Sequence, residues 1–234
     1  MKHGRLVLVR HGESRFNTQN IFTGCIDVSL SETGLKEAHR AARHCQKFNY
    51  DAVFTSHLER AHETLLVILS EQKKTGIFRH DNDPRYDIST KIAPALKKNI
   101  LPVFTTRDLN ERAYGDLQGM NKQAAVRKYG KDAVLGWRRS FEQRPPKGES
   151  LQDVYGRVVV YFEEQIHSRV RSGETVLIVG HGNTLRAIIK FIENIADDQI
   201  PYIDLPFAQP LVYRCRGNNF LRIEGEYRSN RPLR

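Results

Sequence analysis

Cysteine, tryptophan and methionine are scarce: 234 residues hold three, one and two of them. Cys25, Cys45 and Cys215 form no CxxC pair and fit no zinc spacing, which excludes a disulfide scaffold and a structural zinc centre. Reduced thiols in a cytoplasmic protein account for all three. Long apolar runs are missing as well. The N-terminal one, at residues 6–9, is cut by Arg10. It is too short for a signal peptide, and no run approaches a membrane span, so no membrane partner is expected. Acidic residues are also in deficit, 27 against 37 Lys and Arg, giving a net charge of +10 and a pI near 9.6. Such a surplus admits nucleic acid as a partner. The chain has no lysine-arginine block and no RNA-binding aromatic signature, so no nucleic acid is expected; a small polyanionic substrate fits the same charge. There is no internal repeat and no low-complexity segment. The length suits one sizeable domain, expected to span 1–234.

What is present is organised around the stretch LVLVRHGESRFN at residues 6–17. Leu6, Val7, Leu8 and Val9 read as a buried strand, and Gly12 as the turn after it. Arg10 and His11 then fall at the strand's C-terminal end, where open α/β sheets bind ligands. Ser14 and Asn17 lie just downstream with hydrogen-bonding groups to offer. Neutral imidazole is a nucleophile and guanidinium a bidentate fork for phosphate oxygens, so the pair suggests phosphoryl chemistry. Alone, Arg-His-Gly could equally be an ordinary polar turn. The chain, however, repeats the design: a second buried-looking strand at residues 175–179 runs into Gly180-His181-Gly182-Asn183.

Between these junctions lie further candidates. Thr23 and the Gly24 N–H can meet an anion or form a plain turn. Ser31 is a helix N-cap, followed by Leu35, Ala38, Ala42 and Cys45 at helical spacing. A second strand is expected at residues 51–55. Arg60 falls in the first turn of the helix after it, where helix N-termini favour anions. Residues 71–107, broken by Pro84, Pro94 and Pro102, read as an irregular surface insertion with a short helix around residues 92–98. Glu111, Tyr114 and Lys122 can form a site wall or be ordinary surface residues. Arg138 and Arg139 beside Trp137 can bracket a carboxylate and a phosphate. Helices follow at residues 151–166 and from Asn183 onward. An edge strand is expected at residues 211–215 and a basic tail at about 216–234.

Taken together, Leu8-Val9-Arg10-His11-Gly12-Glu13-Ser14 with Asn17, Phe22-Thr23-Gly24, Leu30-Ser31-Glu32-Thr33-Gly34, Thr55-Ser56 with Arg60-Ala61, Leu109-Asn110-Glu111-Arg112, Tyr114-Gly115, Gln118-Gly119 with Asn121-Lys122, Trp137-Arg138-Arg139, Gly148-Glu149-Ser150 and Gly180-His181-Gly182-Asn183 resemble the histidine phosphatase superfamily. Within it they are similar to the cofactor-dependent phosphoglycerate mutases, and they span nearly the whole chain in the family's order. The Arg-His-Gly marks only the superfamily; the Tyr-Gly to Asn-Lys segment and Trp-Arg-Arg favour mutase over phosphatase. There are departures. Cys25 stands where tryptophan is common, the connection at 145–150 is short, and residues 204–210 read Asp-Leu-Pro-Phe-Ala-Gln-Pro where relatives carry Asn-Ile-Pro-Thr-Gly before Pro.

The resemblance implies a three-layer α/β/α sandwich with a mostly parallel central sheet. It implies interconversion of 3- and 2-phosphoglycerate through a phosphohistidine at His11, primed by 2,3-bisphosphoglycerate and needing no metal. Arg10, Arg60, His181 and Asn17, with the Gly182 N–H, would hold the transferring oxygens. Ser14, Thr23, Gly24, Tyr114, Lys122, Arg138, Arg139 and Asn183 would complete the substrate site, and Glu111 would be the general acid and base. A cytoplasmic enzyme, dimeric or tetrameric, is implied. The alternatives are a phosphatase of the same superfamily that passes the group to water, and a silent module that holds a phosphorylated partner.

Overall fold

The computed structural model describes residues 3–80 and 93–229. Its centre is a seven-stranded sheet. In chain order the elements are β1 (Gly4–Arg10), α1 (Arg15–Thr18), α2 (Glu32–Cys45), β2 (Ala52–Thr55), α3 (Glu59–Ser70), β3 (Thr75–His80), α4 (Pro94–Lys97) and β4 (Ile100–Thr105). Then come α5 (Lys122–Tyr129), α6 (Lys131–Arg139), α7 (Leu151–Tyr161), a π-helical stretch (Phe162–His167), α8 (Ser168–Arg171), β5 (Thr175–Gly180) and α9 (Gly182–Glu193). The chain closes with β6 (Ile203–Asp204), β7 (Leu211–Arg216), β8 (Asn219–Glu224) and β9 (Arg228–Ser229). The sheet order is β3-β4-β2-β5-β1-β7-β8, with every strand running the same way except β7, which is antiparallel to both β1 and β8.

Alternation along the strands builds three layers. Leu6, Leu8, Phe54, Val176 and Ile178 point to one face, where Val154, Val158 and Phe162 meet Leu185, Ile188 and Ile189 of α9. Val7, Val9, Val53, Leu177 and Val179 point to the other, against Ala41, Ala42 and Cys45 of α2 and Ala61, Leu65 and Ile68 of α3. Both faces are covered, which is why the inner strands read as unbroken apolar runs. Ser31 and Ser150 cap α2 and α7 through their side chains, the latter in a capping box with Asp153.

Three expectations need correction. Residues 71–107 are not an irregular insertion: β3 and β4 lie there and extend the parallel sheet. Pro102 is tolerated because pairing to β2 begins one residue later, at Val103, so the missing N–H costs β4 nothing on that side. The strand around residues 211–215 is not an edge, because β8 pairs beyond it. Residues 219–224 are therefore sheet rather than tail. Residues 81–92 and 230–234, which fall in the expected insertion and tail, lie outside the described residues. Among those described, no helix is long and apolar enough to cross a membrane.

Candidate active site

Three neighbouring strands deliver three side chains to one sheet edge. β1 and β5 run in register with Arg10 opposite Gly180, so the next residues, His11 and His181, emerge side by side. Their ring centroids stand 5.1 Å apart. β2 pairs with β5 on its other side, Thr55 opposite Val179, and places Ser56 against His181. Gly12 permits the turn that follows: a Cβ there would come within 2.4 Å of the Gly34 carbonyl oxygen at the start of α2. The Gly12 N–H donates to Thr64 Oγ1 (3.0 Å).

Both histidines are buried. The His11 Nδ1 lies 2.6 Å from the Gly12 carbonyl oxygen, an acceptor, so Nδ1 carries the proton and Nε2 keeps its lone pair. Burial, then Arg60 and Arg10, holds the His11 imidazole well below its usual pKa, and the same forces act on His181. His11 is a neutral imidazole with its nucleophilic nitrogen unprotonated.

In front of it lies a cavity of about 400 Å³. Its walls carry six cations, Arg10, Arg60, Lys122, Arg138, Arg139 and Arg186, against three carboxylates, Glu13, Glu111 and Asp204. Burial pulls Arg10, Arg60, Lys122 and Arg138 below their ordinary pKa values, and Arg186 to about 10. Mutual repulsion adds to this for most of them, as Arg138 does for Lys122 and Arg10 for Arg186. Like charges held together out of water are a standing demand for an anion. The buried Nε of Arg10 has no hydrogen-bond partner among the described residues.

Each wall has its anchor. Arg60 spends two N–H groups on the carbonyls of Gly24 (2.8 Å) and Ile26 (3.0 Å), so it shapes the loop carrying Thr23 and Gly24 while facing the cavity. Gly24 has φ +54°, and a Cβ would meet Gln118 Oε1 at 2.2 Å. Glu111 Oε1 accepts from the Arg112 N–H (2.7 Å) and from Asn183 Nδ2 (2.9 Å), which fastens the carboxylate to the N-terminus of α9. Thr184 Oγ1 donates to the Asn110 carbonyl (2.8 Å), and Arg157 reaches the Glu111 carbonyl (3.3 Å). Burial opposes ionisation of Tyr114, but Arg112, 4.5 Å above its ring, wins and lowers its pKa. Arg139 donates to the Pro201 carbonyl (2.7 Å).

Most of the expected site residues converge on this cavity: Arg10, His11, Asn17, Thr23, Gly24, Arg60, Glu111, Tyr114, Lys122, Arg138, Arg139, Gly182 and Asn183 line it. Two expected residues do not. His181 is buried beside His11 rather than exposed on the wall. Ser14 is buried, capping α1 and donating from Oγ to Asn17 Oδ1 (2.8 Å); its work is to hold Asn17. Other lining residues carried no site role in the sequence reading. Arg186 projects one helical turn after Gly182 and donates to Asn183 Oδ1 (3.1 Å) and the Ile203 carbonyl (2.6 Å); that i, i+4 spacing on the helix bearing His181's neighbours was the available signal. Phe207 packs on both Arg10 and His11. Among the described residues no group of three or more His, Cys, Asp or Glu side chains could hold a metal ion.

The histidine phosphatase superfamily (branch 1) family model matches residues 6–82 and 89–221. A 2,3-bisphosphoglycerate-dependent phosphoglycerate mutase of Methanosarcina acetivorans is 42% identical, covering 94% of this chain and 95% of that protein. One from Gloeothece citriformis is 43% identical over 89% of this chain and 93% of its own length. This chain belongs to that mutase family of the histidine phosphatase superfamily. Solved structures add the superfamily fold. A mycobacterial glucosyl-3-phosphoglycerate phosphatase gives a TM-score of 0.71 at 22% identity, covering 94% and 97% of the two chains. An alpha-ribazole phosphatase from Shigella flexneri gives 0.73 at 20% identity, over 94% of each. In this branch 1 chain the family pattern omits residues 83–88 and otherwise takes in both histidine junctions and the whole cationic cavity.

Proposed function

We propose that this chain is a phosphoglycerate mutase that interconverts 3-phosphoglycerate and 2-phosphoglycerate by way of a phosphohistidine at His11. The single observation that carries the reading is the pairing of a neutral His11, its proton committed to the Gly12 carbonyl, with a cavity in which cations outnumber carboxylates two to one. The partnerless buried Nε of Arg10 and the uncompensated charge fit a doubly phosphorylated three-carbon acid. When bound, 2,3-bisphosphoglycerate supplies the phosphoryl group that primes His11.

The residues then divide the work. His11 Nε2 attacks phosphorus in line, the N–P bond forms as the P–O bond breaks, and the departing oxygen takes a proton from Glu111. In the return step Glu111, now a carboxylate, removes the proton from the substrate hydroxyl that attacks phosphohistidine. Arg10, Arg60, His181, Asn17 and the Gly182 N–H hold the transferring oxygens and offset their charge as it shifts. Lys122, Arg138, Arg139, Tyr114, Thr23 and Gly24 hold the carboxylate and the phosphate that does not react. Asn183 orients Glu111, and Arg186 adds a buried charge beneath the same wall.

Interconversion assayed with and without 2,3-bisphosphoglycerate tests the reading. A mutase is fast only when primed. Release of inorganic phosphate as the main product would assign a phosphatase, and neither activity would leave a binding module.

A further inference from the structure

Ser56 has no part in the scheme above, yet it touches the second histidine. Its Oγ lies 2.7 Å from His181 Nε2 and accepts the Leu58 N–H at 3.1 Å. Both side chains are fully buried. The other ring nitrogen, His181 Nδ1, is buried without a hydrogen-bond partner among the described residues.

Proton accounting selects one arrangement. His181 is neutral, because burial and the charges of Arg60 and Arg10 oppose its protonation, so the ring holds one proton. Were that proton on Nε2, it would point at Ser56 Oγ. The serine's own proton would then have no acceptor, since among the described residues Oγ meets only the Leu58 N–H and His181. A buried donor left unmade is destabilising. With the proton on Nδ1 both contacts of Ser56 are satisfied: Leu58 N–H donates to Ser56 Oγ, and Ser56 O–H donates to His181 Nε2; the one donor without a partner among the described residues is then Nδ1–H, which a bound oxygen can meet, whereas the Ser56 proton would stay unmade in every state. Nδ1–H is left as a donor beside His11.

We propose that Ser56 is a positioning residue that fixes His181 as its Nδ1–H tautomer, making it a neutral donor for the phosphoryl group carried on His11. The arrangement supplies a directed hydrogen bond without adding a second proton that His181 could pass to the nucleophilic nitrogen of His11. The proposal rests on the phosphohistidine reading for its purpose, but the tautomer itself belongs to the resting enzyme.

The test therefore has two arms. In the first, ¹⁵N-histidine spectra of the resting protein, assigned with His181→Asn, report the protonation of each ring nitrogen. The expected result is protonated Nδ1 and unprotonated Nε2 in the wild type, and loss of that single state in Ser56→Ala. In the second, phosphorylation of His11 by phosphoramidate should fall in maximal rate in Ser56→Ala by up to about 10²–10³-fold, the scale of losing one oriented donor. Half-saturation should change little, and Ser56→Thr, which keeps the hydroxyl, should restore most of the rate. Protonated Nε2 in the wild type, or an unchanged tautomer in Ser56→Ala, overturns the proposal. If His11 is never labelled but the tautomer is as stated, the phosphohistidine reading fails and the assignment of Ser56 stands.

Discussion

The guanidinium carbon of Arg10 stands 3.9 Å over the centroid of the Phe207 ring. The same segment grips Arg10 twice more: Nη1 donates to the Leu205 carbonyl (2.6 Å), and the Arg10 carbonyl accepts the Ala208 N–H (2.9 Å). Residues 205–208, within the segment expected to differ from the family pattern, thus hold the arginine next to the nucleophile.

Replacing Phe207 by Ala removes a half-buried cation–π contact, worth about 0.5–2 kcal/mol, hence roughly 2–30-fold. Phosphorylation of His11 should slow by that amount. With the wall opened, hydrolysis of bisphosphoglycerate should rise relative to interconversion, whereas in the wild type interconversion stays the faster. Unchanged rates for both reactions would reduce Phe207 to packing.

Glu111 separates donors by their leaving groups. An alkoxide needs a proton as it departs; an aryl phosphate or phosphoramidate needs little help. Glu111→Gln should lose bisphosphoglycerate-driven transfer by ~10²–10⁴-fold and keep most of its labelling by the activated donors. Equal loss with both, in a folded variant that binds substrate, would make Glu111 a support for Asn183 and the α9 N-terminus.

Arg138 and Arg139 should differ although adjacent. Arg138 makes no hydrogen bond to the rest of the described protein, while Arg139 holds the Pro201 carbonyl. Losing a charge-assisted pair costs about 1.5–3 kcal/mol, so Arg138→Ala should raise KM at least about tenfold with little change in melting temperature. Arg139→Ala should lower both affinity and melting temperature. In each, His11 remains open to phosphoramidate. Substrate affinity untouched in both would place them on a solvated surface.

Burial of neutral imidazoles sets a pH dependence of stability. In the fold His11 and His181 resist protonation well below 6.5, while the unfolded chain takes up protons near that value. The unfolded state therefore binds more protons as pH falls below about 6.5, and stability drops. The loss approaches about 1.4 kcal/mol per pH unit for each imidazole until the native pKa is reached. Urea unfolding at pH 7.5, 6.5 and 5.5 should show a shallower loss in His11→Asn than in the wild type. Identical slopes would mean that His11 is charged in the fold.

Much of this was legible in the sequence where local pattern and tertiary role agree. The runs at residues 6–9 and 175–179 are strands because both faces of the sheet are covered, and the histidines follow because parallel strands end on the same edge. β4 was hidden by Pro102, whose usual meaning as a breaker is overridden where the β2 ladder begins one residue later. Arg186 was given no site role from the sequence, because only the chain returning at Ile203 buries that helical arginine in the wall. Ser14 was misread because a serine beside a site and a serine capping a helix look alike in sequence. The contacts of Phe207 and Ser56 join segments far apart in the chain, which no local pattern reports.

The central claim is that the phosphoryl group resides on His11. Incubation with 2,3-bisphosphoglycerate labelled in its phosphates should leave label on the protein that is acid-labile and alkali-stable, as a phosphoramidate bond is. It should be lost on adding unlabelled phosphoglycerate and be absent from His11→Ala. Label that persists in His11→Ala, or a wild-type protein that interconverts phosphoglycerates without ever acquiring label, would contradict the account.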